Sequence, residues 1–428
     1  MKLSISPTDI SGEVEAPPSK SHTHRAILAG CLSEKLKISD PLISEDTKAS
    51  VRCAKKFGAE VEEKQNELLI NGTGGRPQAP KKEINCENSG TTLRLFAGVA
   101  SLCNGFSVLV GDESLTERPN QPLLNSIEDL GGVAVSGNED GSAPIFIRGP
   151  IQGGETEIDG NMSSQFISSL LLAAPLTERG VEIIIKNSLK SRPYVDITLK
   201  FLQKMGIKYE ETESGFKVQG NQNYGKEKFK VPGDFSSASY PLAAGALTGD
   251  VKVRNLHPDP QGDSEIIDLL DKMGAKISWN KEDGIVELTK GDLKGIEFDA
   301  SDNPDLVPTL AVLGTKANGR TKITNIEHLR YKETDRIEAL ATELSKMNVD
   351  IEEGEDYLIV NGNESELRGA EVDGKADHRM VMALSIAGIA AKGETIIERA
   401  ESVEISYPDF FEDLSSLGAS IEILDREN

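Results

Sequence analysis

The sequence predicts an α/β protein of two domains, each assembled from three copies of one supersecondary unit. Three observations carry this expectation. One short phrase recurs six times along the chain, each copy but the last leads into a hairpin of alternating strands, and between the copies lie helices that are apolar almost all round. With 428 residues the chain exceeds what one ordinary core encloses, so two halves of three units agree with its length.

The recurring phrase reads KKFGAEV at 55–61, EDLGGVAV at 128–135, QKMGIKY at 203–209, DKMGAKI at 271–277, SKMNVDI at 345–351 and SSLGASI at 415–421. Its glycines are Gly58, Gly131, Gly206, Gly274 and Gly418, with Asn348 in the fifth copy, and their separations are 73, 75, 68, 74 and 70 residues. Each copy closes an amphipathic helix, as the spacing of Ile337, Leu340, Leu344 and Met347 illustrates. Glycine or asparagine there suits a left-handed C-cap. A strand follows, then a polar turn and a second strand, in NELLING, APIFIRG, GFKVQG, GIVELTKG and YLIVNG. The sixth copy lacks that second strand, but KLSIS at 2–6 has the alternation required of it. The first residues therefore belong with the last three units. The expected domains are 15–230, and 231–428 together with 1–14, joined by two crossings near 14–20 and 228–233.

A second element recurs: a short strand, a polar turn and a helix of small and aliphatic residues. The turns are APPSKS, NCENSG, DGNMSSQ, PGDFSSAS, DASDNPD and DGKADHR. Helices such as ISSLLLAAPL and VMALSIAGIAA are apolar on every face, which places them inside a domain. Each domain is expected to surround three of them. Equivalent turns lie at one end of every unit, so several helix N-termini, with their free N–H groups and partial positive charge, can face the cleft between domains.

The formal charge of -23, from 70 acidic against 47 basic residues, argues against nucleic acid and against an anionic membrane as partners. A basic cluster stands out against such a background and focuses potential on a small anion. Cys31, Cys53, Cys86 and Cys103 lack paired metal-ligand spacing and read as reduced core residues. No metal or other cofactor is expected. No run of about 18 apolar residues occurs, and MKLSISPTDI has no secretory character. The expected setting is cytoplasmic, the expected state a monomer.

The stretch PPSKSHTHRAILAG at 17–30 sets Lys20 and Arg25 at the start of a buried helix, where cations are electrostatically misplaced unless an anion joins them. Serine hydroxyls beside them offer an N-cap. Further candidates are Asn88, Gly90, Arg94, Arg118, Ser163, Ser164, Gln165, Ser191, Arg192 and Tyr194 in the first domain. The second contributes Asp305, then Lys332, Glu333 and Arg336 in RYKETDRIEAL, and His378 and Arg379 in ADHRM. Taken singly, SSQ reads as a cap, KETDR as a helical salt-bridge face and DHR as surface. Together they describe a site for a polyanion, because arginine and lysine bind phosphate and carboxylate through charge-assisted hydrogen bonds. Ser163, Ser164, Gln165 and Ser191 could position phosphate or sugar-like hydroxyls without adding charge. Asp305 and Glu333 are costly among anions unless they move protons, so they are the acid–base candidates.

This constellation resembles the 5-enolpyruvylshikimate-3-phosphate synthase family of enolpyruvyl transferases over nearly the whole chain. The shared motifs, in order, are Lys20-Ser21 with Arg25, Asn88-Ser89-Gly90-Thr91 with Arg94, Arg118-Pro119, Ser163-Ser164-Gln165, Gly233-Asp234 with Ser236-Ser237-Ala238-Ser239, Lys332-Glu333-Thr334-Asp335-Arg336 and Asp377-His378-Arg379-Met380. The resemblance implies two inside-out α/β barrel-like domains, each of three βαβαββ units, with the active site in the interdomain cleft. It implies shikimate 3-phosphate contacts at Lys20, Ser21, Arg25, Ser163, Ser164, Gln165, Ser191, Tyr194, Asp305 and Lys332. Phosphoenolpyruvate is implied to meet Lys20, Gly90, Arg118, Gln165, Arg336 and Arg379. The implied catalytic residues are Asp305, accepting the 5-hydroxyl proton, Glu333, delivering a proton to C3 of the enolpyruvate, and Lys20, which shares the proton work.

Three positions depart from the family pattern. Leu95 stands where many relatives have proline, His328 where asparagine often contacts the shikimate phosphate, and Ile405 where many bacterial members place a lysine. Two other readings compete. A UDP-N-acetylglucosamine enolpyruvyl transferase shares the fold and the donor, but that family generally carries a reactive Cys or Asp in a loop near the Arg118 region, and VGDESLTERPNQ has no Cys and keeps the synthase's Arg-Pro pair. A non-catalytic anion-binding repeat protein explains six repeats but not Asp305 and Glu333 within a cationic cleft.

Overall fold

The computed structural model describes residues 1–362 and 366–425. The predicted second domain's last three residues, 426–428, lie outside these. The chain forms two units, Pro18–Val231 and a discontinuous one of Met1–Pro17 with Pro232–Asn428. Each has its own apolar core.

The third repeat shows how the unit is built. Strand Gly154–Asp159 leads into the helix Ser164–Ala173, then strand Val181–Lys186, the helix Arg192–Lys204, and the hairpin of Tyr209–Thr212 and Gly215–Val218. The first two strands pair in parallel, the rest antiparallel, as a strand–helix–strand crossover followed by a hairpin requires. Among the described residues there are six four-stranded sheets with this same order. Gly58, Gly131, Gly206, Gly274 and Gly418 have φ between 86° and 105°, and Asn348 has φ 64°. The left-handed turn that ends each amphipathic helix is thus present in all six copies, where a residue with a Cβ is strained. In the sixth sheet Lys2–Ser6 supplies the missing strand, pairing antiparallel with Ser420–Asp425 through Leu3↔Ile423 and Ile5↔Ile421.

Each unit holds three nearly all-buried helices inside its sheets: Lys20–Leu32, Gly90–Leu102 and Ser164–Ala173 in one, Phe235–Thr248, Val307–Lys316 and His378–Ala390 in the other. This is the inside-out arrangement: helices within, sheets without. Small residues allow close approach. A Cβ on Gly98 would lie 2.7 Å from the Ser169 carbonyl oxygen, and Gly98 N–H donates to Ser169 Oγ at 3.1 Å.

Two sheets break the local rule. Strand Ser11–Glu15 precedes the Lys20–Leu32 helix, yet pairs in parallel with Asp250–Arg254 of the other unit's sheet. Strand Lys228–Lys230 precedes the Phe235–Thr248 helix, yet pairs in parallel with Lys35–Ser39. Where the chain passes between units, each unit keeps the strand that leads into the other's first helix.

No described helix is long and apolar enough to cross a membrane. All four cysteines are free and buried, and burial pushes the Cys103 thiol up to about 12, so thiolate chemistry is suppressed there. A cavity of about 510 Å³ lies in the discontinuous unit at the C-terminal ends of its three central helices, bordered by Lys290 and Lys316. The charged candidates of that unit sit at the opposite, N-terminal ends.

Candidate active site

The residues singled out in the sequence form two arrays, one in each unit. In the Pro18–Val231 unit the array gathers at the N-termini of the three central helices. Ser19 does not cap the first of them as the serines there predict. Its hydroxyl meets His22 Nδ1 at 3.1 Å instead, while its carbonyl takes Thr23 N–H. The hydroxyl is turned to a buried ring, and the helix end lacks a side-chain cap. Ser89 and Ser163 do cap their helices, accepting from Thr92 N–H and Gln165 N–H. Lys20 begins the first helix and pairs with Asp46 at 3.0 Å.

Arg25 is buried, and four of its five N–H donors are satisfied within the unit. Its Nε donates to Thr198 Oγ1 at 2.8 Å, Nη1 to the Ser21 carbonyl at 2.8 Å, and Nη2 to Ser168 Oγ at 3.2 Å and the Tyr194 carbonyl at 2.9 Å. None of these acceptors is charged. Burial brings Arg25 down to about 10. The arginine therefore fixes Ser21 and Tyr194 while its charge stays uncompensated by any carboxylate among these contacts.

Gln165 is held from both sides: Arg94 Nη1 donates to its Oε1 at 2.8 Å, and its Nε2 donates to Thr91 Oγ1 at 3.0 Å. Arg94 also lies over the Phe166 ring and donates to Asn120. Its role is to orient the amide. Arg118 donates through Nη2 to Ser114 Oγ at 2.8 Å and to Asn88 Oδ1 at 3.4 Å, and Asn88 is anchored by Asp112. A Cβ at Gly90 would sit 3.1 Å from Arg118 Nη1. Glycine at this helix start is what lets the guanidinium lie against the backbone. Ser191 adopts φ 54° at the start of the Arg192–Lys204 helix, a conformation of the kind stored at functional positions. Ser164 is buried and Ser163 half-buried.

The second array centres on Arg336, which is 1 % exposed. Its Nε donates to Asp377 Oδ2 at 2.7 Å, Nη1 to Asp305 Oδ1 at 3.1 Å and Nη2 to Glu333 Oε2 at 2.7 Å. Burial works against the charge, but the carboxylates of Asp377, Glu333 and Asp305 outweigh it and hold Arg336 above the ordinary arginine range. Arg379 donates through Nη2 to the other oxygen of Asp305 at 2.7 Å. Asp305 thus bridges two guanidiniums. Asp377 caps the His378–Ala390 helix through Arg379 N–H, and Asp335 caps Arg336–Lys346 through Ile337 and Glu338 N–H. Lys332 is half-buried just after the short turn Glu327–Tyr331, in which His328 is buried. Tyr240, buried below Arg379, is raised to about 12, chiefly by burial.

The structure therefore brings Asp305, Glu333, Arg336 and Arg379 into one network, and Arg25, Ser21, Tyr194, Gln165 and Arg94 into others. Leu95 is buried, and Ile405 is half-buried at the end of the turn Ala400–Ile405. Two carboxylates that pair with the candidates were not themselves singled out, Asp46 with Lys20 and Asp377 with Arg336. Asp46 reads as an ordinary first-turn acid. Asp377 stands in DHR, which reads as surface, and in the structure it caps its helix. Among the described residues no group of three or more metal-ligating side chains occurs.

The model of EPSP synthase (3-phosphoshikimate 1-carboxyvinyltransferase) matches residues 5–414. The chain belongs to the EPSP synthase family. It is 51 % identical over 421 residues to the 3-phosphoshikimate 1-carboxyvinyltransferase of Methanothrix thermoacetophila, covering 98 % of this chain and 99 % of that one. It is 47 % identical over 429 residues to that of Halobacterium salinarum, covering 99 % and 100 %. The solved EPSP synthase of Acinetobacter baumannii is similar with a TM-score of 0.83 at 28 % identity, over 98 % of this chain and 99 % of that one. The expectation of family and fold is met.

Proposed function

We propose that the chain transfers the enolpyruvyl group of phosphoenolpyruvate to the 5-hydroxyl of shikimate 3-phosphate and releases phosphate. The observation that carries this reading is Asp305, a carboxylate with one oxygen on Arg336 and the other on Arg379, in a chain of the EPSP synthase family. Two cations suit the carboxylate and phosphate of the donor. When those anions take the guanidinium N–H groups, Asp305 is released to accept the hydroxyl proton. Binding of the donor thereby readies the base.

The hydroxyl oxygen bonds to C2 as Asp305 takes its proton and Glu333 delivers a proton to C3, giving a tetrahedral ketal. Glu333 then takes a proton back from C3 as the C2–O bond to phosphate breaks, which yields the enolpyruvyl ether and phosphate. Lys20, Arg118, Arg336 and Arg379, with Gly90 N–H and Gln165, stabilise the charge on the donor and the departing phosphate. Ser21, Arg25, Ser163, Ser164, Gln165, Ser191, Tyr194 and Lys332 hold shikimate 3-phosphate, with Lys20 shared between the two ligands. The chain works as a monomer of the cytoplasm that needs neither nucleic acid nor membrane.

Phosphate release is the test. It is expected only when both substrates are present. Release with UDP-N-acetylglucosamine as acceptor instead, or with neither acceptor, overturns the proposal.

A further inference from the structure

Glu343 is fully buried and stands on the helix Arg336–Lys346, about two turns beyond Arg336 and on the same face. Three donors meet its carboxylate. Oε2 accepts from Lys346 Nζ at 2.6 Å and from Asp373 N–H at 2.9 Å, and Oε1 lies 3.3 Å from Lys375 Nζ. Asp373 and Lys375 belong to the turn that joins the strand Glu371–Asp373 to the helix His378–Ala390. Within that turn Lys375 and Ala376 both have φ 53°, two successive left-handed residues that each carry a Cβ and are strained for that reason. Lys375 N–H donates to Asp373 Oδ1 at 2.8 Å, and Gly374 N–H to the Glu398 carbonyl at 3.0 Å. The turn leads into Asp377, which takes Arg336 Nε at 2.7 Å, and Arg379, which holds Asp305.

One helix therefore grips the turn at both ends, with Glu343 at its start and Arg336 at its close. We propose that Glu343 is a positioning residue for the transfer: by holding Asp373 and Lys375 it keeps the turn on its strained path, and so sets where Asp377 and Arg379 stand against Arg336 and Asp305. This rests on the function proposed above. A helical ion pair explains Lys346, three residues further along the same helix. It does not explain Lys375, whose strained backbone persists only where the surroundings over-determine it. Asp373 has a further cation in Arg399 at 3.4 Å, so it keeps a partner when Lys375 is changed.

Lys375→Met removes the ammonium and keeps an apolar stem on a partly exposed side chain, so the fold is expected to persist. Its KM for phosphoenolpyruvate is expected to rise about tenfold, with kcat and the KM for shikimate 3-phosphate within about threefold, because displaced guanidiniums weaken the hold on the donor. Lys375→Arg restores a cation and is expected to bring the donor KM back to within about threefold of the wild type. Lys346→Met takes a cation from the same carboxylate without touching the turn, and is expected to leave all three constants unchanged. Glu343→Gln keeps an acceptor for Asp373 N–H. Combined with Lys375→Met, it is expected to raise the donor KM no further than Lys375→Met does alone, as two residues acting through one contact require.

Should Glu343→Gln not fold, the three lysine variants decide alone. A donor KM unmoved in Lys375→Met, or one that Lys375→Arg fails to recover, overturns the role of Glu343 while leaving the transfer intact. So does a Lys346→Met variant with the same donor defect, because the charge of Glu343 then matters wherever its partner stands. Donor and acceptor constants that worsen together with a falling thermal midpoint overturn it as well, since that is the mark of a loosened fold. A wild type that releases no phosphate overturns the transfer, and this role with it.

Discussion

The arrays in the two units solve opposite problems with the same side chain. Arg25 spends its donors on neutral hydroxyls and carbonyls, so its positive charge remains for a ligand. Arg336 spends its donors on three carboxylates, so its charge is already balanced. The first arrangement suits an anion that binds and is left unchanged. The second suits a reaction, because the acids it holds beside its cations can exchange protons once an incoming anion displaces them. Identical residue types are thus suited to different tasks by the charge of what they touch.

The largest effect that sharpens this contrast is expected from Arg336→Met. It leaves Asp377, fully buried, without its charge partner, at a cost of about 3–5 kcal/mol, so the midpoint of urea unfolding is expected to fall and turnover to vanish. A variant as stable as the wild type would show that Asp377 does not need the arginine. Lys20→Met is the counterpart in the other array. Asp46 is less deeply enclosed than Asp377, so the fold is expected to survive, with turnover down about 10³-fold as charge on both anions is lost. Normal turnover would remove Lys20 from the site.

Asp305→Asn is expected to lower turnover by about 10²–10³-fold and to leave shikimate 3-phosphate affinity within a few-fold, since an amide keeps hydrogen bonds but cannot take the proton. Calorimetric titration decides: affinity lost as severely as turnover would make Asp305 a binding residue only. The smallest effect concerns Ile405. An ammonium introduced by Ile405→Lys is expected to tighten phosphoenolpyruvate by about 0.5–2 kcal/mol and to steepen its salt dependence. An unchanged affinity at matched ionic strength would mean that this position does not face the donor.

The six-unit architecture was legible because its signals are periodic and local. The glycine of each phrase marks a backbone conformation, and the alternation of KLSIS marks a strand, whatever lies far away in the sequence. The cationic candidates stand out in the same way, since lysine and arginine at helix starts contradict the dipole, and the structure joins Arg336 and Arg379 through Asp305. What escaped were the acids. Asp46 and Asp377 obey local rules as first-turn acid and cap, so nothing in their neighbourhoods betrays a partner 26 or 41 residues away. Ser19 misled for the converse reason: a serine at an N-cap looks like a cap, and only the tertiary position of His22 draws the hydroxyl elsewhere. Strand alternation likewise says that Ser11–Glu15 and Lys228–Lys230 are extended, but not which sheet each joins.

That exchange of strands sets a timetable for folding during synthesis. The Pro18–Val231 unit, including its borrowed Lys228–Lys230, is available once its own stretch of chain has emerged. Strand Lys2–Ser6 is made before the Pro18–Val231 unit, yet its neighbours are Thr395–Glu398 and Ser420–Asp425, so it waits for roughly four hundred residues more to be made. Ser11–Glu15 waits for Asp250–Arg254. The loop to be closed over the longer interval costs only a few kcal/mol in entropy, because that cost grows with the logarithm of length, but the delay grows in proportion to length. These two strands, made early, are thus among the last to find their places, and a nascent chain halted after the Pro18–Val231 stretch has emerged is expected to hold one finished unit with both of them unpaired.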